Sequence, residues 1–251
     1  MVQNEFEGKR ALVTGGSRGI GAGIVQHLLD GGATVVTTAR SATPETPAGA
    51  KFVQGDVSTA EGARAIAEAA LEILGGIDIV VNNAGAARVF PEGVTAIGDD
   101  DWQGALDVNY LPAVRLNAAL LPTLLAQGSG SIIHISSVVT RTPATALLHY
   151  SAAKAALETY SKGLSVELAP KGIRVNTITP GNVTSPGADV VRQDLATAGG
   201  FHPSAMVANI PLGRAGVPAD IAEAVGFLAS DRAAWITGAN LAVDGGENPR
   251  S

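Results

Sequence analysis

A chain of 251 residues is long enough for one large domain, and with 46% hydrophobic but only 4% aromatic residues its core must be built from Ala, Val, Leu and Ile, which favours α/β layers over an aromatic-rich β-sandwich. A net charge of −6 without a dense Lys/Arg cluster speaks against a nucleic-acid or anionic-membrane partner, and zero Cys excludes a disulfide framework, a thiolate metal site and a cysteine nucleophile. The start Met1-Val2-Gln3-Asn4-Glu5-Phe6-Glu7 shows no basic, apolar leader and no apolar stretch is long enough for a bilayer, so a cytoplasmic protein acting on small molecules is expected.

In chain order, short aliphatic or β-branched runs alternate with longer helix-like segments. Strands are predicted at Arg10–Thr14, Thr34–Ala39, 51–55, 77–82, 131–136, 174–179 and Asn240–Val243, and helices near residues 19–31, 59–74, 100–126, 149–169 and 218–229. Gly31-Gly32 and Gly75-Gly76 supply C-terminal stops for the first two helices. Near-continuous apolar strands such as Ile77-Asp78-Ile79-Val80-Val81 imply burial on both faces. The expectation is a single doubly wound α/β domain over residues 1–251, with a seven-stranded parallel sheet and helices on both faces. Residues 183–217 break this rhythm with Pro186, Gly187, Gly199, Gly200, Pro203 and Pro211 around a modest apolar helix pattern, as a substrate lid would.

Two motifs carry chemistry. Directly after the first strand, Thr14-Gly15-Gly16-Ser17-Arg18-Gly19-Ile20-Gly21 opens the first helix. Glycines there let the backbone turn and approach a pyrophosphate, which free amides and the positive helix end stabilise. The second strand ends in Arg40 where a carboxylate would bond the ribose 2′-hydroxyl of NAD; Arg40, with Arg18, would instead grip a 2′-phosphate, so NADP(H) is the expected cofactor. An adenine-stacking or merely solvated Arg40 would leave NAD(H) open. Of the three tyrosines, only Tyr150 has a Lys four residues on, at Lys154. That spacing places phenol and ammonium on one helix face, where the cation favours the ionised phenol. Ser136-Ser137 end the preceding strand at the carboxyl edge, where ligands of open parallel sheets bind.

These motifs together, with Asp56-Val57, Asn82-Asn83-Ala84-Gly85, Asn109 and Pro180-Gly181, make the chain from Gly8 to Gly246 resemble the short-chain dehydrogenase/reductases, in particular the compact branch with the 3-oxoacyl carrier-protein reductases. The resemblance implies a Rossmann-type fold and an oxidoreductase that transfers hydride between a nicotinamide cofactor and a carbonyl or secondary alcohol. It implies that Tyr150 exchanges the proton, that Ser137 orients the substrate oxygen, that Lys154 lowers the phenol pKa and bonds the nicotinamide ribose, and that Asn109 holds a water linking Lys154 to solvent. Asp56 and Val57 would contact adenine, Asn83, Ala84 and Gly85 would pack under the ribose, and Pro180, Gly181, Val183 and Thr184 would wall the nicotinamide. A homotetramer is implied as well, pairing the helices near 100–126 and 149–169, whose small residues include Ala152, Ala153, Ala155 and Ala156, and using residues 239–246 in another contact.

Other readings are an NAD(H)-dependent alcohol dehydrogenase of the same family and a non-catalytic dinucleotide-binding sensor or scaffold; retention of both Tyr150 and Lys154 weighs against the latter. Pro112, three residues after Asn109, should disturb its helix and support the distortion that relatives place at this asparagine. Residues 40–50 lack the helix that many relatives carry, so the 2′-phosphate pocket should be more open. Among the histidines, His27 reads as helix surface, His134 as packed or hydrogen-bonded within a strand, His149 as facing away from Tyr150, and His202 as a substrate contact. None sits at ligand spacing, and no metal site is expected.

Overall fold

A computed structural model describes residues 4–248; Met1, Val2 and Gln3 of the segment read for a leader, and residues 249–251 of the expected domain, lie outside the described residues. Seven strands, β1 (Arg10–Thr14), β2 (Thr34–Ala39), β3 (Lys51–Gln54), β4 (Ile79–Asn82), β5 (Gly130–Ile135), β6 (Ile173–Pro180) and β7 (Asn240–Val243), form one sheet in the order β3-β2-β1-β4-β5-β6-β7. Every pairing is parallel. The helices are α1 (Gly19–Asp30), α2 (Ala60–Leu74), α3 (Asp99–Asn109), α4 (Leu111–Gln127), α5 (Leu148–Leu168), α6 (Pro186–Gly199), α7 (Ser204–Ala208) and α8 (Pro218–Ala229).

The apolar strands serve two cores at once. Ala11, Val13, Val35, Ile79, Val81, Ile133 and Ile178 pack with Ile24, Val25 and Leu28 of α1 and Ile221, Val225 and Leu228 of α8. Leu12, Val36, Val80, Ile132 and Val175 point to the other side, against Ile66 and Ala70 of α2, Leu116, Leu120 and Leu124 of α4, and Leu164 and Leu168 of α5. Alternate residues of one strand thus bury into opposite layers, which is why the strands read as unbroken apolar runs. Because β1 lies between β2 and β4, the chain reverses its direction of travel across the sheet there, and a crevice opens at the carboxyl ends of these strands.

Local chemistry sets the helix ends. Thr59 accepts the Gly62 amide at 3.0 Å to start α2, and Gly75, at φ 68°, ends it. In α8, Pro218 occupies the first turn and Asp220 accepts the Val217 amide at 2.7 Å, while Arg214 holds that carboxylate from outside at 2.7 Å.

Two expectations need correction. The helix predicted over 100–126 is two helices, broken at Tyr110 (φ −124°, ψ −60°), and Pro112 falls in the first turn of α4, where its missing N–H leaves no helix bond unmade. The Ala113 amide donates to the Tyr110 carbonyl at 3.1 Å, rather than reaching back four residues to Asn109 as in an unbroken helix. His27 is buried, not on the surface: its ring stands edge-on to Phe6 at 6.2 Å, and a Cβ on Gly226 of α8 would collide with it. The modest helix pattern within residues 183–217, to which no bounds were assigned, is two helices, α6 and α7. A parallel bridge between Val183 and Gly216 closes this excursion at its base.

Candidate active site

The glycine-rich loop lies at the crevice between β1 and α1. A Cβ on Gly21 would collide with the Gly15 carbonyl, and one on Gly15, at φ 68°, would press to 3.0 Å from the Ala84 Cα. These glycines therefore bring the loop against the end of β4. Asn83 stitches the two together: its side-chain amide donates to the Thr14 and Gly15 carbonyls at 2.9 and 3.2 Å. The amides of Asn83 and Ala84 both donate to Thr14 Oγ1 at 3.0 Å. The Asn83 side chain is thus spent on shaping the loop. Such a narrow backbone cradle at a helix N-terminus fits the phosphates of a dinucleotide.

At the other end of the crevice, α5 presents Tyr150 and Lys154 one turn apart, with Lys154 Nζ 5.9 Å from the phenol ring centre. Lys154 is buried, and its ammonium donates to the Ile135 carbonyl at 2.8 Å, so the end of β5 aims it. A Cβ on Gly85 would lie 3.2 Å from that nitrogen and 2.8 Å from Asn109 Oδ1, which places the β4 loop between the two polar groups. Asn109 is locked: its side chain donates to the Ala86 and Ala105 carbonyls at 2.8 and 3.1 Å and accepts the Ala86 amide at 3.0 Å. The structure therefore brings Asn109, Gly85 and Lys154 together, with Ser137 beside Tyr150.

Burial raises the Tyr150 phenol above its ordinary value, and the Ser137 side chain pulls in the opposite direction through a hydrogen bond. Burial outweighs Ser137, and the lowering expected from Lys154 is not among the causes acting on the phenol. Lys154 itself is pushed down to about 8 by burial, against the attraction of Glu158. Glu158 is the residue that the sequence reading missed. Four residues beyond Lys154 and eight beyond Tyr150, it occupies the same face of α5, and that spacing alone marked it. Its carboxylate accepts the hydroxyls of Ser136 and of Thr140 at 2.9 Å, tying α5 to the end of β5 and to the stretch that follows Ser137, and lies 3.5 Å from Thr179 Oγ1, whose hydrogen goes to Asn240 Oδ1 at 2.6 Å.

The remaining site residues fall along the same edge. Pro180 ends β6, and Gly181, Asn182, Val183 and Thr184 follow it; Thr184 is pinned to the Gly216 carbonyl by its amide at 2.9 Å and hydroxyl at 2.8 Å. Glu247 accepts the Asn182 amide at 3.0 Å, so the C-terminal stretch braces this wall. On the adenosine side Arg18, Arg40 and Asp56 are exposed and Val57 is half-buried. The Asp56 carboxyl is lowered by hydrogen bonds from Ser58 and more weakly by Arg40. His134 lies wholly inside, bonded to Asn117 at 3.1 Å and Ser161 at 3.0 Å, and burial drives it down to about 3. His149 is buried edge-on to Phe90 at 5.0 Å, and His202 pairs with Ser204 at 2.8 Å beside α7. Among the described residues no helix is long and apolar enough to cross a membrane, and no cluster of three His, Asp or Glu could hold a metal.

Residues 15–248 match the family described as enoyl-(acyl carrier protein) reductase. The chain is 42% identical, over 97% of its length and 99% of the relative, to an uncharacterized oxidoreductase of Methylorubrum extorquens. It is 37% identical, over 96% and 98%, to a 3-oxoacyl-[acyl-carrier-protein] reductase of Vibrio harveyi. Among solved structures it resembles a 3-ketoacyl-(acyl-carrier-protein) reductase of Brucella melitensis complexed with NADH, with a TM-score of 0.87 at 32% identity over 96% and 99% of the two chains. Sequence, fold and the Ser137, Tyr150 and Lys154 arrangement agree: the chain belongs to the short-chain dehydrogenase/reductase family and is an oxidoreductase.

Proposed function

We propose that this protein reduces a carbonyl to a secondary alcohol, reversibly, with NADP(H) as the cofactor. The observation that carries the reading is the buried Lys154 ammonium, held by the Ile135 carbonyl one helical turn from Tyr150, with Ser137 against the phenol. The glycine-rich loop, Arg18, Arg40, Asp56 and Val57 would hold the adenosine half of the dinucleotide, and residues 83–85, Tyr150, Lys154, Pro180, Gly181, Val183 and Thr184 the nicotinamide half. The bound cofactor supplies the hydride, or accepts it in the reverse direction.

In the direction of reduction, the Ser137 hydroxyl orients the substrate oxygen and Tyr150 gives it a proton. The phenol is protonated at neutral pH, as a proton donor must be, and burial holds it in that form. Lys154, cationic below about 8, stabilises the phenolate left behind. The break after Asn109 turns its carbonyl out of the regular helix ladder, and we assign it the water that returns a proton to Lys154; Pro112 favours that break. Residues 183–217 act as a lid swinging on the Val183–Gly216 bridge. The names of the relatives make a 3-oxoacyl thioester the first carbonyl to test.

The same reading includes a cytoplasmic homotetramer. Ala152 and Ala155 are exposed on α5 and Trp235, ahead of β7, is 99% exposed, as contacts between subunits require. The test is nicotinamide absorbance with NADPH or NADH across 3-oxoacyl thioesters, simple ketones and secondary alcohols. Turnover with NADPH in preference to NADH is expected; dinucleotide binding without turnover on any substrate overturns the enzymatic reading, and equal or tighter binding of NADH overturns the cofactor preference.

A further inference from the structure

Residues 40–50 form no helix, as expected, and they fold back onto the glycine-rich loop. The Thr43 and Thr46 hydroxyls both donate to the Ser17 carbonyl, Thr46 at 3.2 Å. The turn is tied within itself. The Thr46 amide donates to the Thr43 carbonyl at 3.0 Å, the Thr43 amide to Thr46 Oγ1 at 2.9 Å, and the Glu45 amide to Thr43 Oγ1 at 3.2 Å. Pro44 and Pro47 restrict the backbone on either side. This docked turn delivers one charge: Glu45 Oε2 accepts the amide of Gly19, the first residue of α1, at 3.0 Å. The residue before it, Arg18, gives the helix no side-chain cap.

A carboxylate of the chain therefore occupies a free amide at the positive end of α1, in the loop that would receive the phosphates of a dinucleotide. Gly19 directly follows Arg18, one of the two cations expected to attract a 2′-phosphate. Arg18 and Arg40 are exposed, and among the described residues neither forms an ion pair. NAD(H) and NADP(H) differ at this end by one phosphate, and a fixed anion acts on that phosphate far more than on the ribose hydroxyl it replaces. We propose that Glu45 is a specificity-determining residue, an internal anion fixed next to Arg18 that opposes the additional 2′-phosphate, and so holds down the advantage of NADP(H) over NAD(H). The proposal rests on dinucleotide binding at the glycine-rich loop, and not on which of the two is preferred.

Glu45→Gln isolates the charge, because the amide oxygen of Gln can still accept the Gly19 N–H. Direct titration by fluorescence or calorimetry, without substrate, should show NADPH bound roughly three- to tenfold more tightly by Glu45→Gln, and NADH within about twofold of the unaltered protein. The gain should shrink as ionic strength rises. A double variant, Thr43→Val with Thr46→Val, releases the turn while keeping the carboxylate. In the dinucleotide-free protein it should speed hydrogen exchange in the peptide containing Gly19, and it should also tighten NADPH. Equal changes for both dinucleotides, or no change in either, overturn the proposal. If the unaltered protein binds neither dinucleotide, the functional reading itself fails, a result distinct from an unmoved affinity ratio.

Discussion

The two ends of the crevice are built on opposite principles. At the catalytic end Lys154 and Asn109 are buried, and both are held by main-chain atoms, of Ile135 in one case and of Ala86 and Ala105 in the other. At the adenosine end Arg18, Arg40 and Asp56 stand in solvent, and the chain around them is a short loop. The contrast follows from what each end must do. Burial is what lowers a lysine, so one brought down to about 8 has to be taken out of water and aimed there. Telling one anion from a hydroxyl needs only local charge, which works at the surface and stays sensitive to salt. Substitutions at the two ends should therefore differ in size, in salt dependence and in the kinetic constant they change.

The largest effect tests the catalytic end. Tyr150→Phe removes the proton donor and keeps the ring, and kcat for carbonyl reduction should fall about 10²- to 10⁴-fold. Dinucleotide affinity, measured by titration, should stay within about threefold, since the cradle around Gly15 and Asn83 is untouched. A variant that kept its kcat would remove Tyr150 from the chemistry. Arg40→Ala tests the other end, and its pattern should be inverted: kcat preserved, the Kd for NADPH raised about tenfold at low salt, and NADH little affected. Raising ionic strength should erase most of that difference, whereas it should leave the Tyr150→Phe defect in place. If Arg40→Ala weakens NADH equally, Arg40 stacks on adenine and does not read the phosphate.

How far each end could be read from the sequence follows the same division. The strands were legible because burial on both faces leaves near-continuous apolar runs, and β7 was placed at Asn240–Val243 to the residue. Ser137, Tyr150 and Lys154 were legible as a set because helix periodicity and a strand end bring them to one edge. The break at Tyr110 was only half visible: Pro112 signalled a disturbance, but a proline in a first turn starts a helix as well as it bends one. His27 was misread because helix α8 packs onto α1 through Gly226, a long-range contact that no local pattern records. Glu45 was invisible for a similar reason. Its partner is a backbone amide 26 positions away in sequence, reached only after the turn docks on Ser17.

Glu158 sharpens the comparison with the smallest effect of the three. It is half-buried, and its carboxylate does two jobs at the catalytic end: it collects hydroxyls from Ser136 and Thr140, with Thr179 at its edge, and it favours the charged form of Lys154. In the free enzyme the alkaline limb of kcat/KM for reduction should fall near pH 8, as Lys154 loses its proton. Glu158→Gln keeps most of the hydrogen-bonding capacity and removes the negative charge, so the Lys154 value should drop and the limb should move to lower pH. The cost should be about two- to fivefold at pH 7 and should vanish toward pH 6, where Lys154 stays protonated in both proteins. Glu158→Asp retains the charge and should hold the limb close to its original place, even where the shorter side chain loosens the hydroxyls. Thr179→Val removes one hydroxyl and no charge, and should lower activity without moving the limb at all. A limb that shifts equally in Thr179→Val and Glu158→Gln would mean that Glu158 acts through the positions of the strand ends; a limb that follows the charge alone means that the proton affinity of Lys154 is set electrostatically from its own helix.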